Sequence, residues 1–108
     1  MPRFQRCSDP DRPGGQLLFG HGAAVALLYW THDYAEREAT GWFLAMLDED
    51  GQIDADEEPR RLAVSPEVDA LMANRRLDRD AWLASAETVE LVSSQVALEV
   101  AERVLEQR

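Results

Sequence analysis

The sequence predicts a mainly helical domain with a long C-terminal helix and an irregular N-terminal arm. All six glycines lie at or before Gly51 and the last proline is Pro66, so residues 67–108 contain neither of the residues that break helices. The segment that follows Gly22 is rich in Ala, Leu and Glu, which favour helix. A chain of 108 residues is the size of one domain with one hydrophobic core.

The first half of the chain also supports a second interpretation. Residues 1–15 are rich in Pro, Gly and Arg and are predicted to form the irregular arm, which leaves residues 16–108 as a single globular domain. The apolar runs AAVALLYW and WFLAML are short and are bounded by glycines, as buried strands are. The alternative is therefore an α+β domain, with short antiparallel strands within residues 16–55 followed by helices.

The second half of the chain contains two helix starts. Ser65 is followed by Pro and Glu, which is typical of an N-cap and a first helical turn, and this helix is predicted to end near Asn74. Asp78 is predicted to cap a second helix that continues almost to the C-terminus, with a break near Ser85.

The last helix has apolar residues on two sides. At about 100° per residue, five valines fall on one stripe and three leucines lie roughly opposite. The stripes consist of Val89, Val92, Val96, Val100 and Val104, and of Leu91, Leu98 and Leu105. A helix that needs cover on two sides indicates a protein-binding surface, so we predict a homodimer or a partner interface here. The alternative is a central helix that is enclosed by its own chain.

The net charge of −10 is concentrated in residues 48–58, which contribute seven of the ten net negative charges. This sign excludes binding to nucleic-acid phosphates. An acidic segment attracts a basic protein surface and speeds the encounter. The residues predicted to steer such a partner are Asp48, Glu49, Asp50, Asp54, Asp56 and Glu57. An acidic mimic of nucleic acid that inhibits a DNA-binding protein is an alternative, although its carboxylates would be spread along a face rather than gathered in one segment.

The same segment contains the D-x-D-G-x-I core of a helix–loop–helix calcium site. With Gly51 at the sixth loop position, however, the first position is Met46, whose thioether is a poor ligand for a hard cation. Pro59 also falls in the first turns of the helix that should follow. We therefore predict no metal and no cofactor.

Enzymatic chemistry has little support in the sequence. On a helix, His32 and Glu36 would lie one turn apart and share a metal with His21, so a metal-dependent enzyme is a distant alternative. No serine has a nucleophile-elbow context, and the absence of Lys excludes a Schiff base. Trp30 and His32 are predicted to border a pocket or an interface.

The sequence thus predicts a small, acidic, non-enzymatic protein-binding module, such as an adaptor, an assembly chaperone or an accessory subunit of a larger complex. It has no signal-peptide pattern and no apolar run long enough to span a bilayer, so we expect a soluble cytoplasmic protein that does not bind membranes. Cys7 is the single cysteine, which excludes an internal disulfide. All eleven basic residues are Arg, which indicates a GC-rich bacterial or phage genome.

Overall fold

The computed structural model describes residues 5–8, 15–20 and 22–107, and these form an α+β domain. Strands account for 29% of the described residues and helices for 39%. The prediction of a mainly helical domain is therefore wrong. The α+β alternative is the observed class, although the first and last strands lie outside residues 16–55.

In the described part of the chain, five strands precede two α-helices. The strands are β1 (Gln5–Ser8), β2 (Gln16–Gly20), β3 (Ala23–Thr31), β4 (Gly41–Met46) and β5 (Arg60–Arg61), and the helices are α1 (Pro66–Met72) and α2 (Arg79–Glu106). Each strand pairs antiparallel with the next, so the sheet order is the chain order. Strand β1 falls within the segment that was predicted to be an irregular arm. Gly22, in the β2–β3 turn, has a φ of +83°, which glycine adopts without strain.

Residues 23–31, which were predicted to be helical, form the central strand because both of their faces are buried. Leu27 and Leu28 point to opposite faces, and both are fully buried. A surface helix would need a polar side, and this apolar run offers none. Strands β2 and β4 satisfy the backbone of β3 on its two edges. This pairing overrides the helix preference of Ala and Leu, which is worth well under about 1 kcal/mol per residue.

Helix α2 packs its C-terminal half on one face of the sheet. Trp42 and Leu44 of β4 face α2. The residues of β3 that pair with them lie on the same face of the sheet. Ala97 and Ala101 are fully buried, and their small side chains let the helix approach the strands closely. The indole Nε1 of Trp42 donates a hydrogen bond of 2.8 Å to Ser93 Oγ, which fixes the helix against the sheet.

The N-terminal half of α2 packs instead against α1 and the β3–β4 connection. A second core cluster contains Met72, Trp82, Ala86 and Val89. Trp82 is fully buried and its Nε1 donates to the Met72 carbonyl at 2.8 Å, which ties α2 to the end of α1. Helix α2 therefore crosses two separate packing environments.

A buried arginine holds the β3–β4 connection against the α1–α2 connection. Arg37 is 5% exposed, and its guanidinium lies 4.3 Å from the centre of the Tyr34 ring. It donates to the Asn74 carbonyl and, at 3.3 Å, to the Leu77 carbonyl. The 3₁₀ turn that presents it, Arg37–Ala39, occupies a region that was predicted to continue a helix.

Both predicted helix starts are confirmed. Ser65 accepts a hydrogen bond from the Val68 amide, and Asp78 accepts one from the Ala81 amide. Helix α1 ends at Met72, two residues before the predicted Asn74, and α2 runs through Ser85 without the predicted break. Within the part of the chain that the structure describes, no helix combines the length and the apolar character that crossing a bilayer requires.

Candidate functional site

The outer side of α2 exposes large apolar side chains. Leu91 is 78% exposed, Val92 69% and Val96 42%. The sheet and α1 pack on the same inner side of α2, where they bury Trp82 and Ala97. Within the described part of the chain no element covers the outer side, so its apolar side chains remain in solvent.

The remaining residues of the two predicted stripes do not share this exposure. Val89, Leu98 and Leu105 are buried, while Val100 and Val104 are partly buried against the sheet cluster. The valine stripe and the leucine stripe thus each contain both core and surface residues. The side of α2 that faces the core changes along the helix, from the side that contacts α1 to the side that contacts the sheet. A single helical projection therefore could not separate the buried residues of α2 from the exposed ones.

A shallow groove lies beside this exposed surface, between the two helices. Leu71 of α1 and residues 84, 85, 88 and 89 of α2 line it, and its volume is about 260 Å³. Leu71 is itself 38% exposed. Sequence reasoning missed this groove because its walls come from two helices, and no spacing within one helix indicates which residues of α1 lie next to it.

The acidic segment connects β4 to β5 and is folded into local turns. The Asp48 carboxylate accepts hydrogen bonds of 2.9 Å from the amides of Asp50 and Gln52. The Asp54 carboxylate accepts one of 2.9 Å from the Asp56 amide. Two of the predicted steering residues therefore also shape the loop, as aspartates commonly do in turns.

The other predicted steering residues lie at or near the surface of the loop. Glu49, Asp50 and Asp56 are exposed, and Glu57 is half-buried. The loop is close to the first residues of β3, where a groove of about 550 Å³ has Val25 and Met46 in its wall. Among residues 5–8, 15–20 and 22–107, no group of three or more His, Cys, Asp or Glu side chains is placed to hold a metal ion.

The predicted pocket edge lies at the opposite end of β3. Trp30 packs edge-on against Trp42, with ring centres 5.5 Å apart, and contacts both core clusters. Its Nε1 is buried and has no hydrogen-bond partner among the described residues. His32 is exposed, with its ring centre 6.2 Å from that of Trp82.

The histidine–glutamate geometry proposed for a metal is wrong for the described pair. His32 and Glu36 lie in the irregular β3–β4 connection, not one turn apart on a helix. His21, the third ligand of that hypothesis, is outside the described residues. Comparison of the chain with protein-family models, with curated proteins and with solved structures finds no match.

Proposed function

We propose that this protein is a non-enzymatic protein-binding module that engages its partner through the outer side of α2. The observation that carries the proposal is the exposure of three large apolar side chains, Leu91, Val92 and Val96, on a helix whose other side is anchored in the core. Contiguous apolar residues that remain in solvent are typical of interaction sites. Their rigid backbone lowers the entropic penalty of binding.

The acidic loop supports a basic partner. Residues 48–58 carry seven negative charges and the loop is largely exposed. Such a charge raises the association rate of an oppositely charged surface more than it raises the final affinity. The loop thus steers the partner, and α2 holds it. A cytoplasmic location belongs to the same proposal and is supported by the low cysteine content, one residue in the chain.

The binding role is tested by photo-crosslinking in cells of the source organism. A photoreactive amino acid replaces Leu91 in one variant and the exposed Arg76 in a control variant. We expect discrete adducts with one or a few proteins from position 91 and only background from position 76. If a folded protein gives the same background at both positions, the proposed binding surface is wrong.

The steering role is tested with the partner that the adducts identify. Asp48, Glu49, Asp50, Asp54, Asp56 and Glu57 are replaced together by Asn or Gln. Asparagine retains the acceptor oxygen that Asp48 and Asp54 use in the loop turns. We expect the association rate to fall and its salt dependence to weaken, with the dissociation rate little changed. An association rate that is insensitive to both salt and the substitutions would exclude steering by this loop.

A further inference from the structure

Helix α1 is too short to be stable by itself. It has seven residues, and isolated helices of fewer than about 12 residues are marginal in water. It packs on α2 and on the 3₁₀ turn Arg37–Ala39, and of its seven residues, all of which the structure describes, only Met72 is buried. The position of α1 in the fold therefore depends on contacts from outside the helix.

Side chains of other elements bond the carbonyl groups around the C-terminal end of α1. Trp82 Nε1 of α2 donates a hydrogen bond of 2.8 Å to the Met72 carbonyl. Arg37, in the β3–β4 connection, donates to the Asn74 carbonyl and, at 3.3 Å, to the Leu77 carbonyl. The last carbonyls of a helix have no partner within the helix, so these two donors supply what a C-terminal cap supplies in other helices.

Arg37 is itself fixed within the β3–β4 connection. Its Nε donates to the Tyr34 carbonyl at 3.3 Å, and its guanidinium lies over the Tyr34 ring. The same connection is closed by Thr40, which is fully buried and whose Oγ1 accepts a hydrogen bond of 3.0 Å from the Asp33 amide. Arg37 thus keeps its position when its bonds to the α1–α2 connection break. Water then replaces the two carbonyls, so the charge is still solvated in the open state.

We infer that residues 65–77 undock from α2 as one unit and that Arg37 is the latch that holds this unit closed. The unit contains α1 and the connection that follows it. A segment opens separately from the rest of a protein when it buries few apolar side chains. Here Met72 is buried and Val68 and Leu77 are half-buried, whereas α2 has buried residues along its whole length.

The latch decides whether the groove between α1 and α2 exists. Leu71 forms the α1 wall of this groove, and residues 84, 85, 88 and 89 form the α2 wall. Undocking removes the α1 wall and exposes Trp82, which is fully buried in the closed state. The exposed side chains on the outer side of α2 are not part of the unit, so this inference goes beyond the proposed function and does not depend on it.

The opening is measured by native-state hydrogen exchange followed by NMR. Two indole groups give a direct comparison: Trp82 Nε1 bonds to the Met72 carbonyl and Trp42 Nε1 bonds to Ser93 Oγ, each at 2.8 Å. We expect the Trp82 indole proton to exchange together with the α1 amides and about tenfold or more faster than the Trp42 indole proton. Burial does not predict this order, because Trp82 is 0% exposed and Trp42 is 3% exposed. Equal exchange rates for the two indoles would mean that only global unfolding releases them, which overturns the inference.

Arg37→Met tests the latch, because methionine retains an unbranched apolar side chain but has none of the guanidinium donors. We expect the exchange of the Trp82 indole proton and of the α1 amides to accelerate about tenfold or more, since hydrogen bonds from a charged donor are stronger than neutral ones. The Trp42 indole proton should keep its native exchange rate. Arg76→Met is the matched control, because Arg76 is an exposed arginine of the α1–α2 connection, and it should change neither rate.

Two results with Arg37→Met overturn the latch. An unchanged exchange rate at Trp82 would mean that Arg37 does not hold the unit, and an equal acceleration at Trp42 would mean that the whole fold is weakened. Circular dichroism shows whether the variant folds. If it does not, Arg37→Lys is measured in the same way, because lysine keeps the charge but not the planar fork that reaches two carbonyls. Acceleration at Trp82 alone supports the latch, and any other result overturns it.

The latch and the proposed function fail separately. Equal exchange rates for the two indoles overturn the latch and leave the proposed function standing, because Leu91 lies outside the unit. Selective exchange at Trp82 without adducts at Leu91 supports the latch and overturns the proposed function.

Discussion

Both sides of α2 carry large apolar side chains, but the inner side buries them and the outer side does not. The inner side buries Trp82, Val89 and Ala97, and the buried Ser93 accepts a hydrogen bond from Trp42. The outer side leaves Leu91, Val92 and Val96 in solvent. Apolar character alone therefore does not identify which residues of this helix are buried. Burial depends on which side of the helix the sheet and α1 contact.

The largest expected effect comes from the inner side. Trp82→Ala removes a fully buried indole and its hydrogen bond to the Met72 carbonyl. We expect it to lower the free energy of unfolding by about 3–5 kcal/mol, as measured by denaturant titration. Leu91→Ala, on the outer side of the same helix, should change it by no more than about 0.5 kcal/mol. Similar losses for the two variants would contradict the division into an inner and an outer side.

Two adjacent serines of α2 test how much one hydrogen bond between the helix and the sheet contributes to stability. Ser93→Ala leaves the buried Trp42 Nε1 without its acceptor, so we expect a loss of about 1–3 kcal/mol in the free energy of unfolding. Ser94 donates its hydrogen bond to the Leu91 carbonyl of its own helix, and Ser94→Ala should have little effect on the free energy of unfolding. Combining Ser93→Ala with Trp42→Phe should cost less than the sum of the two single changes.

Two valines three residues apart test the boundary between the sides. Threonine has nearly the shape of valine, so Val89→Thr and Val92→Thr change polarity with little change in volume. Val89 is 5% exposed, and burying a hydroxyl there should destabilise the fold by about 1–2 kcal/mol. Val92 should tolerate the change within about 0.5 kcal/mol when unfolding is followed at low protein concentration, where association does not contribute. A loss at Val92 as large as that at Val89 would place Val92 in the core.

The smallest expected effect is on the exposed side of α1. The Ser65 hydroxyl donates to the Glu67 carboxylate at 2.8 Å, and this bond, together with the backbone amide of Glu67, lowers the pKa of the carboxyl. Because the folded pKa is depressed, the stabilisation is present above the ordinary carboxyl pKa and is lost as pH falls through the folded value. Titration followed by NMR should show the pKa of Glu67 rising toward its ordinary value in Ser65→Ala. An unchanged pKa would show that the serine is not its cause.

The fold was predictable from the sequence where short-range chemistry decides it. Sequence reasoning identified the caps Ser65 and Asp78 because a cap involves a side chain and amides only a few residues away. It identified the long C-terminal helix because helix propensity and the absence of Gly and Pro are local properties. The concentration of charge in residues 48–58 and the failure of the calcium pattern at Met46 were equally local. These features do not depend on where the rest of the chain lies.

The strands and the exposed surface were decided only by tertiary contacts. Ala and Leu in residues 23–31 favour helix weakly, and only pairing with β2 and β4 on both edges makes them a strand. In the same way, Val89 and Val92 are chemically identical, and one is core and the other surface because α1 packs beside the first. The sequence by itself thus determined the helices, their caps and the charge. Pairing and packing between distant segments determined the sheet and the apolar surface, because burial is a property of two elements rather than one.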